Sequence, residues 1–157
     1  MIGAVMTKRA VAQSYDAISR QDLDALQGMF HEDAVLEFPG DTVMSGRFEG
    51  WEAIRGWFDR WFKMSPETRF TPRHVLVENI FALGASNVVH VEWDLDEVTR
   101  KGDHNHLTGV TTFGIDGGKG REVVIYIYDP SVLASMWPPK RAAAEETEDK
   151  EQGTARA

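Results

Sequence analysis

Groups able to hold and pass protons are concentrated in one stretch of the chain, Val88 to Phe113, VVHVEWDLDEVTRKGDHNHLTGVTTF. Its first limb alternates with the period of two of a β-strand, placing His90, Glu92, Asp94 and Asp96 on one side and Val89, Val91, Trp93 and Leu95 on the other. The second limb sets His104, His106, Thr108 and Val110 against Leu107, Gly109, Thr111 and Phe113. With Arg100-Lys101-Gly102-Asp103 as the connection, pairing of the limbs gathers imidazoles and carboxylates into one band on a sheet. Enclosed in a pocket, such a band is equipped for general acid/base chemistry. Burial raises a carboxylate's pKa, while the carboxylate favours the charged form of a neighbouring imidazole. Each positioned group of this kind contributes roughly 10²- to 10⁴-fold to a rate. In water, the same band is the solvated face of an antiparallel sheet. His104 and His106 with Asp94 or Glu92 opposite also resemble a two-His, one-carboxylate metal set.

The elements that must position this band follow in order. From Thr7, TKRAVAQSYDAISR has Val11, Tyr15 and Ile18 at helical spacing. Asp22 is a good N-cap for a second, short helix burying Leu23, Leu26, Met29 and Phe30. HEDAVLEFPGD reads as a short strand stopped by Pro39-Gly40. WEAIRGWFDRWFKM, Trp51 to Met64, is the clearest helix, with Trp51, Ile54, Phe58, Trp61 and Phe62 on one face and Ser65-Pro66 at its end. That stripe reads first as core, one or two of its rings being available to wall a cavity. Four runs rich in β-branched and aromatic residues follow, RFTPRHVLVENIFAL, VVHVEWDLDEV, NHLTGVTTFGI and REVVIYIY, which predict a four-strand meander. Asp116-Gly117-Gly118-Lys119-Gly120 sits between strands and opens no helix, so a hairpin turn explains it better than phosphate binding.

A chain of 157 residues, 42% hydrophobic and 10% aromatic, has material for one domain with a real core. A net charge of −8 without a dense basic run argues against a nucleic-acid surface. The absence of cysteine excludes disulfides, thiolate zinc sites and cysteine nucleophiles. No window approaches a membrane span and no secretory leader is evident, so a cytoplasmic protein with no membrane partner is expected. The expected organisation is a flexible N-terminus over 1–6, a folded domain over 7–137 and a charged, disordered tail over 138–157, where no large apolar residue occurs after Pro139.

The phrases SYDAISRQDLDALQGMFHEDAVLEFPG, SGRFEGWEAIRGWF, TTFGIDGGKG and IYIYDPSVL resemble the SnoaL-like members of the nuclear-transport-factor-two-like superfamily, over about residues 7 to 137. Relatives there include ketosteroid isomerase, limonene epoxide hydrolase, scytalone dehydratase and polyketide cyclases. The resemblance implies an α+β fold: a cone-shaped, curved antiparallel sheet with N-terminal helices packed on its concave face, enclosing a pocket for a small, mostly apolar molecule. It further implies pairing of two subunits, sheet to sheet, and a family fold that works without metal or other cofactor.

The catalytic residues of those relatives do not transfer intact. Phe38 stands where ketosteroid isomerase has its Asp base, Val110 at its protonated Asp, and Tyr15 within one residue of its tyrosine donor. Of the epoxide hydrolase's Asp-Arg-Asp set, Asp94 matches one Asp while Glu92 and Tyr126 replace the others, and Tyr126 also stands at the polyketide cyclases' acid/base Asp. Placing Asp94 in the pocket brings His90 and Glu92 with it, and His104, His106, Thr108, Tyr126 and Tyr128 from the neighbouring strands. The opposite, apolar row then faces outward and calls for a cover, which a homodimer supplies; the inverse assignment makes that row the core. On the first assignment, His106 and Asp94 are the acid/base pair and Tyr126 or Tyr15 donates a hydroxyl to a carbonyl or oxyanion. Phe38, Trp51, Phe58 and Trp61 join the same wall as substrate contacts, with no metal ligand among them. The expected function is a cofactor-independent isomerase, cyclase, dehydratase or epoxide hydrolase for a small apolar, oxygen-bearing molecule. A non-catalytic ligand-binding or dimerisation module is the alternative.

Overall fold

The computed structural model describes residues 2–79 and 86–141. Helix α1 (Ile2–Ser19) starts ahead of Thr7, within the stretch expected to be flexible, and buries Val11 and Tyr15 at a spacing of four. Asp22 caps α2 (Leu23–Gln27) as expected, its carboxylate accepting the Ala25 N–H at 2.9 Å. Strands β1 (Phe30–Phe38) and β2 (Gly46–Glu49) form a hairpin, and α3 (Trp51–Met64) follows directly. Its buried stripe contains the five expected residues and also Trp57. The meander comprises β3 (Glu67–Val77), β4 (Asn87–Val98), β5 (His104–Asp116) and β6 (Lys119–Ile127), and α4 (Ser131–Met136) ends the run of elements. The end of the first meander phrase, 80–83, lies outside the described residues.

The expected cone does not form. The six strands make one open, mixed sheet in the order β2-β1-β6-β5-β4-β3, with β2 and β3 as its two edges. It is neither closed nor strongly curled into a cone. The meander supplies the antiparallel pairs from β3 to β6, but β1 joins the sheet parallel to β6, with Val35 beside Glu122 and Leu36 beside Val123. A hairpin pattern predicts partners that are neighbours in sequence; this contact is between strands far apart in the chain, and no local turn announces it.

Helices α1 and α3 cover one face of the sheet. Ser19 Oγ accepts the Phe70 N–H at 3.0 Å and ties the end of α1 to β3. Toward the helices point Val89, Val91, Trp93 and Leu95 of β4, all at most 4% exposed. The row His90, Glu92, Asp94, Asp96 lies on the opposite face. Residues after α4 return to the β1–β2 connection: Val43 N donates to the Pro138 carbonyl at 3.0 Å and Lys140 N to the Asp41 carbonyl at 3.2 Å. The expected tail thus begins with an anchored segment, and its remainder from 142 onward lies outside the described residues. No helix among the described residues is long and apolar enough to cross a membrane.

Candidate functional site

Between the helices and the sheet lies a cavity with about 50 Å³ open to the centres of water-sized molecules. One water takes roughly 10–15 Å³ on that measure, so the space exceeds a single solvent site. Its walls are apolar. Tyr15 and Ile18 of α1, Trp57, Phe58 and Trp61 of α3, and Phe70 of β3 form one side. Trp93, Leu95, Leu107, Phe113, Ile125 and Ile127 line the sheet side, and Phe38 and Trp137 meet edge to face at 5.5 Å at one end. The aromatic packing is continuous: Tyr15 lies 5.2 Å from Phe70, and Phe70 lies 5.0 Å from Trp93 in an edge-on contact.

Two hydroxyls interrupt this hydrocarbon lining. Thr111, 4% exposed, accepts the Trp93 indole N–H at 2.9 Å, which leaves its own O–H to donate elsewhere. Tyr15, 3% exposed, has a phenol oxygen with no hydrogen-bond partner. Burial raises its pKa above the ordinary phenol value, and the nearby Thr111 hydroxyl offsets part of the rise without completing a well-formed bond. Two other indoles of the wall are satisfied by groups behind it: Trp57 Nε1 donates to the Met44 carbonyl at 2.8 Å and Trp61 Nε1 to Glu97 Oε2 at 3.1 Å.

Of the residues expected at the site, Tyr15, Phe38, Phe58 and Trp61 line this cavity, while Trp51 packs against Phe30 at 5.5 Å in the adjoining core. His90, Glu92, Asp94, His104, His106, Thr108, Val110, Tyr126 and Tyr128 do not line it. Their strands turn the alternate residues inward, and His90, Glu92, Asp94 and His106 find partners on the outer face. Asp94 pairs with Arg73, His106 Nδ1 lies 2.7 Å from Asp96 Oδ1, and His90 Nδ1 lies 2.9 Å from Thr112 Oγ1. The expected acid/base pair of His106 with Asp94 is therefore not assembled: His106 stands opposite Asp96, and Asp94 opposite Thr108. Glu92 Oε2 meets His74 Nδ1 at 2.6 Å and Oε1 accepts the Tyr128 O–H at 3.1 Å; the His74 bond, then the Tyr128 bond, holds the Glu92 carboxyl below the usual range. Partial desolvation and the bond to Glu92 raise the Tyr128 phenol. Tyr126 is 55% exposed. Sidedness also removes the reason given for a homodimer, since the apolar row is covered by the chain's own helices.

Among the described residues, no group of three or more His, Asp or Glu is arranged to hold a metal ion. The inward-facing polar residues that the spacing rules passed over are Thr111 and Glu97. Glu97 is 3% exposed and continues the row Val89, Val91, Trp93, Leu95 by one more step of two, a signal that extending the alternation would have found.

The geometry has counterparts among known proteins. The model of the SnoaL-like domain family matches residues 11–123. No functionally curated protein matches the chain. Among solved structures it is similar to Bal32a from a soil-derived mobile gene cassette, at TM-score 0.73 and 21% identity over 86% of this chain and 98% of that one. It is similar also to TerC co-crystallised with polyporic acid, at TM-score 0.69 and 17% identity over 83% and 96%. A protein of Catenulispora acidiphila with a ketosteroid isomerase-like fold, in complex with trimethylamine, superposes at TM-score 0.63 with 20% identity over 80% and 89%. These likenesses are likenesses of fold, and with most of the folded chain matched by one family model, the protein belongs to the SnoaL-like domain family.

Proposed function

We propose that the protein takes a small, mostly apolar, oxygen-bearing molecule into the cavity between its helices and sheet, and holds a carbonyl or similar oxygen with the Tyr15 phenol. The observation that carries this reading is the unpartnered Tyr15 hydroxyl, 3% exposed amid aromatic rings. Leaving a buried donor unsatisfied costs about 1–3 kcal/mol, and a ligand oxygen removes that penalty. The O–H of Thr111 is a second donor for the same oxygen.

Acid/base turnover without a cofactor, of the isomerase, cyclase, dehydratase or epoxide-hydrolase type, is the second reading. The family and the un-ionised phenol in a desolvated site favour it, because such a donor stabilises an enolate or alkoxide as charge develops. The phenol is the catalytic candidate on this reading.

Acetophenone and ethylbenzene, which differ at the carbonyl, test the binding. Titration calorimetry is expected to show acetophenone binding more tightly than ethylbenzene. Tyr15→Phe is expected to weaken acetophenone about fivefold and leave ethylbenzene unchanged, in keeping with the net worth of one neutral hydrogen bond. Equal affinities in wild type and variant would rule out the phenol as the anchor. Deuterium exchange of the acetophenone methyl protons, followed by NMR above the buffer rate, separates turnover from retention.

A further inference from the structure

We propose that Trp137 is the gate of this cavity: its indole closes the cavity off from a surface groove, and a ligand enters by way of that groove when the ring swings aside. The proposal rests on the cavity being a small-molecule site and adds the route by which the molecule reaches it.

The closed cavity is smaller than the molecules proposed for it. Its open space is about 50 Å³, whereas an apolar cavity that takes up benzene measures about 150 Å³. A ligand built on one aromatic ring therefore enters only if part of the wall moves. Three of the four indoles in that wall are pinned. Trp57 donates to the Met44 carbonyl, Trp61 to the Glu97 carboxylate and Trp93 to the Thr111 hydroxyl, so displacing any of them breaks a hydrogen bond as well as packing. The fourth, Trp137, makes no indole hydrogen bond among the described residues. Its ring is held by packing, edge to face on Phe38 at 5.5 Å.

Position singles out the same residue. Trp137 lines both the cavity and a separate groove of about 520 Å³ that opens to solvent, and no other residue of the cavity wall borders that groove. Met64, Met136 and Pro138 lie along the groove beside the indole, an adaptable apolar surface able to receive it. The backbone on either side is fastened. Trp137 N donates to the Leu133 carbonyl at 2.9 Å, and the Pro138 carbonyl accepts the Val43 N–H at 3.0 Å. Motion is thereby left to the side chain. An indole turned outward gives up its contacts with the cavity wall, so the open state is the minor one, and opening sets the pace of entry and exit alike.

The test uses the full chain and 4-fluoroacetophenone, whose exchange between free and bound forms is followed by fluorine NMR. Trp137→Ala is expected to raise the association and dissociation rates together by about tenfold, with affinity held within about threefold, because both directions cross the barrier that a gate imposes. A ring that served only as wall would speed dissociation alone and weaken binding in proportion; that result overturns the proposal, as do unchanged rates. Ile125→Ala enlarges the same cavity from the sheet side and is expected to leave association within about twofold of wild type. Acceleration there equal to that of Trp137→Ala overturns the gate as well. Should Trp137→Ala fail to fold, Trp137→Phe takes its place, with both rates raised about threefold by the smaller ring; wild-type rates in that variant overturn the proposal. Failure of the wild type to bind 4-fluoroacetophenone overturns the cavity reading itself, and the gate with it. Binding that depends on Tyr15 but exchanges at the same rates with and without the indole overturns the gate alone.

Discussion

The Tyr15 phenol combines deep burial, a lost hydrogen bond and a pKa raised by desolvation. Its proton is linked to stability with a definite sign. The unfolded chain releases it at about pH 10, whereas the folded chain retains it to higher pH. Stability therefore falls as pH rises past the unfolded value, because the native state then binds more protons than the unfolded one. The phenolate absorbance of Tyr15 is expected to appear together with unfolding, as the difference between wild-type and Tyr15→Phe titrations; a Tyr15 signal that rises while near-ultraviolet circular dichroism stays native would contradict this placement. At this scale the sequence was partly legible. Helical spacing places Tyr15 on the buried face with Val11, and the aromatic residues of α3 read correctly as a stripe. Asp94 and His106 did not read correctly, because residue type says which groups can exchange a proton and not which neighbour stands opposite. Arg73 sits at a register shift of β3 between Pro72 and His74, and its pairing with Asp94 follows from that irregularity rather than from any spacing rule.

Strand β4 shows the same division between what alternation reveals and what it leaves open. Two faces were evident from VVHVEWDLDEV, but both could be argued inward, the polar one through family likeness and the apolar one through the cost of burying charge. The second consideration prevailed: turning Glu92, Asp94 and Asp96 toward aromatic rings would strip three carboxylates of water. The helix-facing row also explains Gly109. It lies opposite Trp93, and a Cβ there would come within 2.3 Å of the Tyr126 carbonyl oxygen and 2.7 Å of the Trp93 ring. Backbone cannot yield as a flexible side chain does, so Gly109→Ala is expected to cost about 1–3 kcal/mol or more. It should also disturb the Trp93–Thr111 bond. Chemical denaturation with tryptophan fluorescence measures both, and an unchanged midpoint would show that the indole is not seated there.

For the molecule as a whole, the two faces of the sheet divide the work. Helices and rings enclose the inner face, and the outer face carries His and carboxylate pairs with Leu76, Tyr126 and Tyr128 exposed among them. The proposed site and the proton-bearing band are thus on opposite sides of one layer. His106→Ala is accordingly expected to leave acetophenone affinity within twofold, whereas a tenfold loss would return the site to the outer face. The α+β class and the order of elements were legible because caps, turns and periodicities are local. The open, mixed sheet was not, because the partnership of β1 with β6 has no local signature.

That partnership bears on how the protein is made. The edge of β1 meets residues 120–124, so a ribosome must deliver nearly the whole folded region before the inner edge of the β1–β2 hairpin finds its neighbour. Until then the nascent chain carries Leu36 and Phe38 without the strand that shelters them. Contacts so distant in sequence form slowly, and the newly made chain passes through an interval in which its first strand is available to other chains.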